Sequence, residues 1–168
     1  HPLHDPIMTE HLRFAIALAV SFLAAVFAAS SGLAADGEQI VLEPDMVEAE
    51  QPWLAFEPMI DEQTFTGPFA AHVPESHWTM PFAHREDYPA HFVIDLGEVR
   101  HLARMAIYDM NGRGDLVFSI GEPGDWTPVL TESGVGYKTW KNHGFIHSTR
   151  YLRVTTASPE GLFGEVLL

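Results

Sequence analysis

The chain has 168 residues, 46% of them hydrophobic, with no cysteine and a formal net charge of −14. That length fits one domain with a sizeable core. The acidity excludes a phosphate backbone as a favoured partner, so no nucleic acid is expected, and the absence of cysteine excludes a disulfide-stapled scaffold.

In chain order, Met8 reads as the start and Arg13 as a basic n-region, with residues 1–7 as an upstream extension. Phe14 to Ala29 is an apolar run broken only by Ser21, followed by Gly32-Leu33-Ala34. A run of about 16 residues is short for a membrane span, which needs ~20. The small residues suit cleavage before Ala35. Residues 1–34 are therefore read as a secretory signal plus extension, with an uncleaved anchor as the alternative. The expected location is secreted, periplasmic or extracellular, with no membrane contact after cleavage. Loss of Asp5, Glu10 and Arg13 moves the charge from −14 to −13.

Residues 35–57 form an acidic lead-in. Asp36, Glu38, Glu43, Asp45, Glu48, Glu50, Glu57, Asp61 and Glu62 occur before any Lys or Arg of the mature chain, the first being Arg85. These carboxylates read as a solvated face, or alternatively as partners for a hard cation or for the basic C-terminal half. Ile40-Val41-Leu42 and Met46–Ala49 read as short strands. Residues 58–90 are loop-rich, punctuated by Pro58, Gly67, Pro68, Pro74, Pro81 and Pro89. Strands are then expected at Phe92–Leu96, Leu102–Asp109, Leu116–Ile120, Val129-Leu130, Tyr137–Trp140, Phe145–His147, Arg150–Thr155 and Leu162–Leu168. Turns fall at 97, 111–114, 121–124 and 141–144. No amphipathic helix is evident. Short strands with turns about every 8–12 residues predict an all-β antiparallel sandwich or barrel over 58–168.

Phe92-Val93-Ile94-Asp95-Leu96-Gly97, Ala106-Ile107-Tyr108, Ser119 to Trp126, Arg150-Tyr151-Leu152-Arg153-Val154 and Gly164-Glu165-Val166 stand in one order. In that order they resemble the discoidin, or coagulation factor 5/8 type C, family of galactose-binding-like jelly rolls, in a bacterial secreted version. The resemblance covers about residues 59–168. The family's Asp-Gly-Asp turn and Thr-x-Trp are replaced here by Met59–Gln63 and Ser76-His77-Trp78, and its usual closing aromatic and glycine are absent, so the chain reads as C-terminally truncated.

The resemblance implies one structural Ca²⁺ between an early loop and the last strand. Ca²⁺ takes 6–8 oxygens, many from backbone carbonyls. Glu165 is the candidate side-chain ligand, with Asp61 and Ser76 beside it; a surface carboxylate on an edge strand is the alternative for Glu165. Sugar binding needs an aromatic face and groups that bond hydroxyls. Loop 76–88 and the 111–115 turn offer Trp78, His84, Arg85, Tyr88, Asn111 and Arg113. The alternative is that Trp78 and Phe82 plug the core beneath a long loop. Trp126 and Trp140 are assigned to the core or a strand edge.

The mature chain's histidines match no zinc spacing, and no HExxH is present; they read as scattered surface residues. Ser76 and Ser119 lack a nucleophile elbow, and Asn111-Gly112-Arg113-Gly114 is a hairpin-type turn with no phosphate-loop character. The reading is a non-catalytic carbohydrate-binding module anchoring a secreted protein to glycan or polysaccharide. The alternatives are a protein-adhesion or spacer domain, and an accessory fragment fused to a larger secreted hydrolase or lyase.

Overall fold

The structure, a computed structural model, describes residues 37–64, 68–79 and 81–168; the expected signal segment lies outside them. Residues Gln39–Leu168 form one compact unit, the folded body described below. No helix among the described residues is long and apolar enough to cross a membrane.

Seven antiparallel strands make up this unit: β1 (Val47–Ala49), β2 (Trp78–Thr79), β3 (Ala90–Asp109), β4 (Asp115–Glu122), β5 (Asp125–Ser133), β6 (Thr139–Thr156) and β7 (Leu162–Leu167). The helical elements among the described residues are short 3-10 turns. In β3, Ala90, Phe92, Ile94 and Leu96 are buried while the residues between them are half-exposed. That period of two puts one face of the strand in the core.

β3 and β6 each run through both layers. Val93 pairs with Arg153 and Asp95 with Tyr151; the register then shifts before Arg100 pairs with Thr149. Gly97 sits at this corner with φ of +78°, in the left-handed region that glycine adopts without penalty. Its N–H donates to Asp95 Oδ1 at 2.8 Å. The first half of β3 pairs with β1 and with the C-terminal half of β6, which also pairs with β4. The second half of β3 pairs with the N-terminal half of β6 and with β7, and β7 carries β2. A sandwich results, filled by Trp78, Phe92, Phe118, Phe145 and Phe163, each at most 1% exposed. One end, termed the corner end, holds Gly97 and the β4–β5 turn. The other, termed the loop end, holds the starts of β3, β4, β6 and β7.

Several boundaries differ from expectation. The strands expected at 92–96 and 102–109 are one bent strand, and those at 137–140, 145–147 and 150–155 are another. The turn expected at 141–144 is an irregularity inside β6, where Arg104 pairs with Gly144 after a register shift. Ile40–Leu42 forms no strand, although the Ile40 N–H donates to the Leu168 carbonyl at 2.9 Å. The boundary drawn at residue 58 is also corrected: Leu42, Val47 and Leu54 belong to the core, and β1 pairs with β3. The acidic segment is built into the sandwich because its apolar residues alternate with its carboxylates.

Candidate functional site

The loop end carries an aromatic cluster. The segment after β1 is pinned to the start of β3: the Glu50 N–H donates to the His91 carbonyl at 3.0 Å, and the His91 N–H donates to Gln51 Oε1 at 2.8 Å. With Leu54 buried as an anchor, Trp53 is left half-exposed. The imidazole of His84, in the 3-10 stretch Phe82–Asp87, stacks on Trp53 with centroids 4.6 Å apart and planes 1° from parallel. The Tyr88 ring tilts against the same indole at 5.5 Å. Burial raises the Tyr88 phenol above its ordinary pKa, and its hydroxyl has no hydrogen-bond partner within the protein. His84 Nδ1 contacts Asp87 Oδ2 at 3.2 Å. Arg85 extends into solvent, 3.5 Å from the Glu86 carboxylate, and Phe82 is 65% exposed. Flat rings and a solvent-exposed guanidinium are groups that hold a polar, ring-shaped ligand.

Of the six residues proposed to hold sugar, His84, Arg85 and Tyr88 lie in this cluster. Trp78 is a correction. It is 1% exposed, packs edge-on to Phe92 at 5.4 Å and pairs in register with Phe163, so its indole is core. Asn111 is largely committed to its own loop: Nδ2 donates to the Glu160 carbonyl, and Oδ1 accepts from the Arg113 and Leu162 N–H groups. Arg113 is exposed. The topology brings the 111–114 turn and residues 82–88 to the same end of the sandwich, because β3 starts and finishes there. Trp53 is the residue that sequence reasoning missed. Its signal was a tryptophan among carboxylates, in a segment read as a lead-in.

The three residues proposed for metal lie beside the other layer. Glu165 is fully buried at an irregularity where β7 gains a residue against β3, between the Ile107–Val166 and Asp109–Phe163 pairs. Burial pushes its carboxyl up to about 8, a hydrogen bond from Gln63 Nε2 opposes the rise, and the Asp61 and Glu62 charges add to it. One oxygen of Glu165 has no hydrogen-bond partner within the protein. Gln63 ties the region together: Nε2 also donates to the Val166 carbonyl at 3.0 Å, and Oε1 accepts from the Leu42 N–H at 3.2 Å. The surface-carboxylate alternative for Glu165 is thus corrected.

Ser76 Oγ donates to Asp61. Glu62 accepts from the Glu75 and Ser76 N–H groups and meets His72 Nε2 at 2.8 Å. Among the described residues no group of three or more His, Asp or Glu side chains is arranged around one ion. The histidines are less scattered than expected. His143 lies 2.6 Å from the buried Glu132, and His91 is partly buried against Thr155, with burial lowering its pKa.

No protein-family model matches the chain, and no curated protein does. Solved structures do. The C-terminal domain of a chitobiase from Bacteroides fragilis superposes with a TM-score of 0.55 at 11% identity, over 77% of this chain and 95% of that one. The module CpGH89CBM32-6 of Clostridium perfringens gives 0.53 at 13% identity, over 77% and 97%. The CBM32 of AlyQ, solved with 4,5-unsaturated mannuronic acid, gives 0.50 at 20% identity, over 78% and 97%. The chain therefore has the antiparallel β-sandwich fold of these domains, two of which are CBM32 modules.

Proposed function

We propose that the chain is a non-catalytic carbohydrate-binding module that holds an exported, larger protein on glycan or polysaccharide. The observation that carries this reading is the Trp53–His84–Tyr88 cluster, flanked by Arg85 and Phe82, at the loop end of a sandwich that shares its fold with CBM32 modules. Loops on a rigid β-scaffold are where such folds place recognition. A sugar would lie against the exposed edge of the stack, with Arg85 reaching its oxygens and Arg113 approaching from the neighbouring turn. Export rests on the apolar run and small-residue site at 14–34. A module of this size gives weak affinity per site and gains by avidity on a polymer.

A structural Ca²⁺ belongs to the same reading. Glu165 would hold it, because a buried carboxylate with an unbonded oxygen and two further carboxylates in electrostatic range suits a hard cation. Asp61 and Ser76 lie in the adjoining loop, and backbone carbonyls would complete the set. The ion's role would be to neutralise Glu165 and fix residues 61–63 against β7.

The test is a glycan and polysaccharide array with the purified chain, in Ca²⁺ and again in EDTA. Retention that falls in the His84→Ala/Arg85→Ala variant supports the reading, and loss in EDTA supports the ion. Retention unchanged by that variant removes the assigned site, and no retention by a folded sample favours a spacer or protein-adhesion domain.

A further inference from the structure

Residues 82–87 are clasped to the loop end through one ring. They form a single 3-10 stretch in which no residue is buried. Phe82, Ala83, Arg85, Glu86 and Asp87 are exposed, and His84 alone is half-buried. Its imidazole stacks on Trp53, which in turn packs against the core. The stretch bends at the same place: His84 has φ of −107° and ψ of 22°, outside the helical region, where two short turns meet. Pro81 precedes the segment, and Tyr88-Pro89 leads from it into Ala90, the buried first residue of β3. The segment is thus a strap, fixed at both ends and clasped in the middle.

The clasp is titratable. An imidazole gains a positive charge as pH falls from about 8 to about 5. Over an indole face that charge adds a cation–π attraction to the stack. Asp87 Oδ2 lies 3.2 Å from His84 Nδ1, so the same proton also completes an ion pair within the strap.

The remaining charged and titratable neighbours do not oppose this. Arg85 and Glu86 pair with each other at 3.5 Å. Residues 51–54, which bring Trp53 to the stack, carry no charged side chain, and Glu50 before them acts on His91. Burial raises the Tyr88 phenol, so it stays uncharged through this range.

We propose that residues 82–87 are a pH-sensitive strap, which closes on the end of the sandwich when His84 is protonated and loosens when the ring is neutral. The strap stands on the stack and on the exposure of its other residues. Its effect on recognition rests on the loop-end reading, because Arg85 travels with it. Binding there would be tighter in mildly acidic surroundings.

The test is hydrogen exchange of the purified chain, read by mass spectrometry at pH 6 and pH 8 and corrected for the intrinsic rate at each. Phe92–Leu96 of β3 serves as the reference, since local opening leaves core amides closed. Expected is protection of residues 82–87 about two- to fivefold greater at pH 6, the scale of one exposed cation–π contact, with the reference unchanged. His84→Phe keeps a ring for Trp53 and cannot titrate, so its protection should be equal at the two pH values. Three results overturn the strap: equal protection in the wild type, an equal change in β3, or a difference that survives in His84→Phe. The wild-type comparison alone decides against it, whatever the variant's stability. Retention on the glycan array at the same two pH values separates the two readings. A pH-dependent strap in a chain that no glycan retains keeps the strap and removes the site. Retention indifferent to pH, beside a pH-dependent strap, overturns its effect on recognition.

Discussion

The Trp53 indole and the His84 imidazole lie face to face, 4.6 Å between centroids and 1° from parallel. They come from segments about thirty positions apart, and the stack fixes where residues 82–88 sit over the end of the sandwich.

Removing the stack should therefore affect recognition more than folding. Trp53→Ala is expected to cost roughly 1–2 kcal/mol of stability, as a half-exposed ring with one flat partner. It should reduce glycan retention at least as much as Arg85→Ala does. Denaturant unfolding and affinity electrophoresis on the same samples separate the two effects. Unchanged retention in Trp53→Ala would falsify the loop-end assignment.

Trp78 is expected to behave in the opposite way. Replacing this buried indole by Ala should cost about 3–5 kcal/mol, the usual penalty for an aromatic core truncation. Trp78→Phe should restore much of that loss and bind glycan normally. A folded Trp78→Phe with lost binding would return Trp78 to the site.

Glu165 sets a pH dependence. Its carboxyl is held at about 8 in the fold, against about 4.3 in an unfolded chain. The native state therefore binds more protons than the unfolded state between those values. Metal-free stability should fall as pH rises through that window, by at most about 1.4 kcal/mol per pH unit. Glu165→Gln should flatten the profile and raise stability near pH 8. If Ca²⁺ binds here, its addition should stabilise the wild type at pH 8, in proportion to the logarithm of its concentration, and should leave Glu165→Gln unmoved. Thermal melts from pH 4.5 to 8.5, with and without Ca²⁺, check all three; a flat wild-type profile counts against the burial of charge at this site.

Two of the ion pairs of the sandwich should rank by burial. Arg150–Asp95 has the better geometry, but both side chains are about two-fifths exposed. Lys141–Glu132 is longer at 3.6 Å, yet the Glu132 side chain is 5% exposed. Arg150→Met should cost little, because the pair is screened by solvent. Lys141→Met should cost more, because it strips a cation from a buried carboxylate that His143 also contacts. Urea midpoints of the two variants give the ranking.

Much of the sandwich was legible in the sequence. The alternation in Phe92–Leu96 and Arg150–Val154 marks strands with one buried face, and Gly97 and Gly121–Gly124 mark real turns. The continuity of β3 and β6 was hidden, because a corner and a register shift break the alternation that a reader follows. At the site, His84, Arg85 and Tyr88 were visible as polar aromatics in a proline-bounded loop. Trp53 was not: nothing local tells a tryptophan that fills a core from one that lines a surface. Strand register decides it. Trp126 pairs with Gly121 on the outer face, while Trp78 pairs with Phe163 on the inner one.

Because β3 and β6 each serve both layers, neither layer can peel away while the other stays folded. Unfolding one half strips the paired backbone of the other, so the sandwich should melt as a single cooperative unit. Its slowest-exchanging amides should lie on both sides of Gly97. Open-edged intermediates, the species from which β-proteins aggregate, would then be sparsely populated.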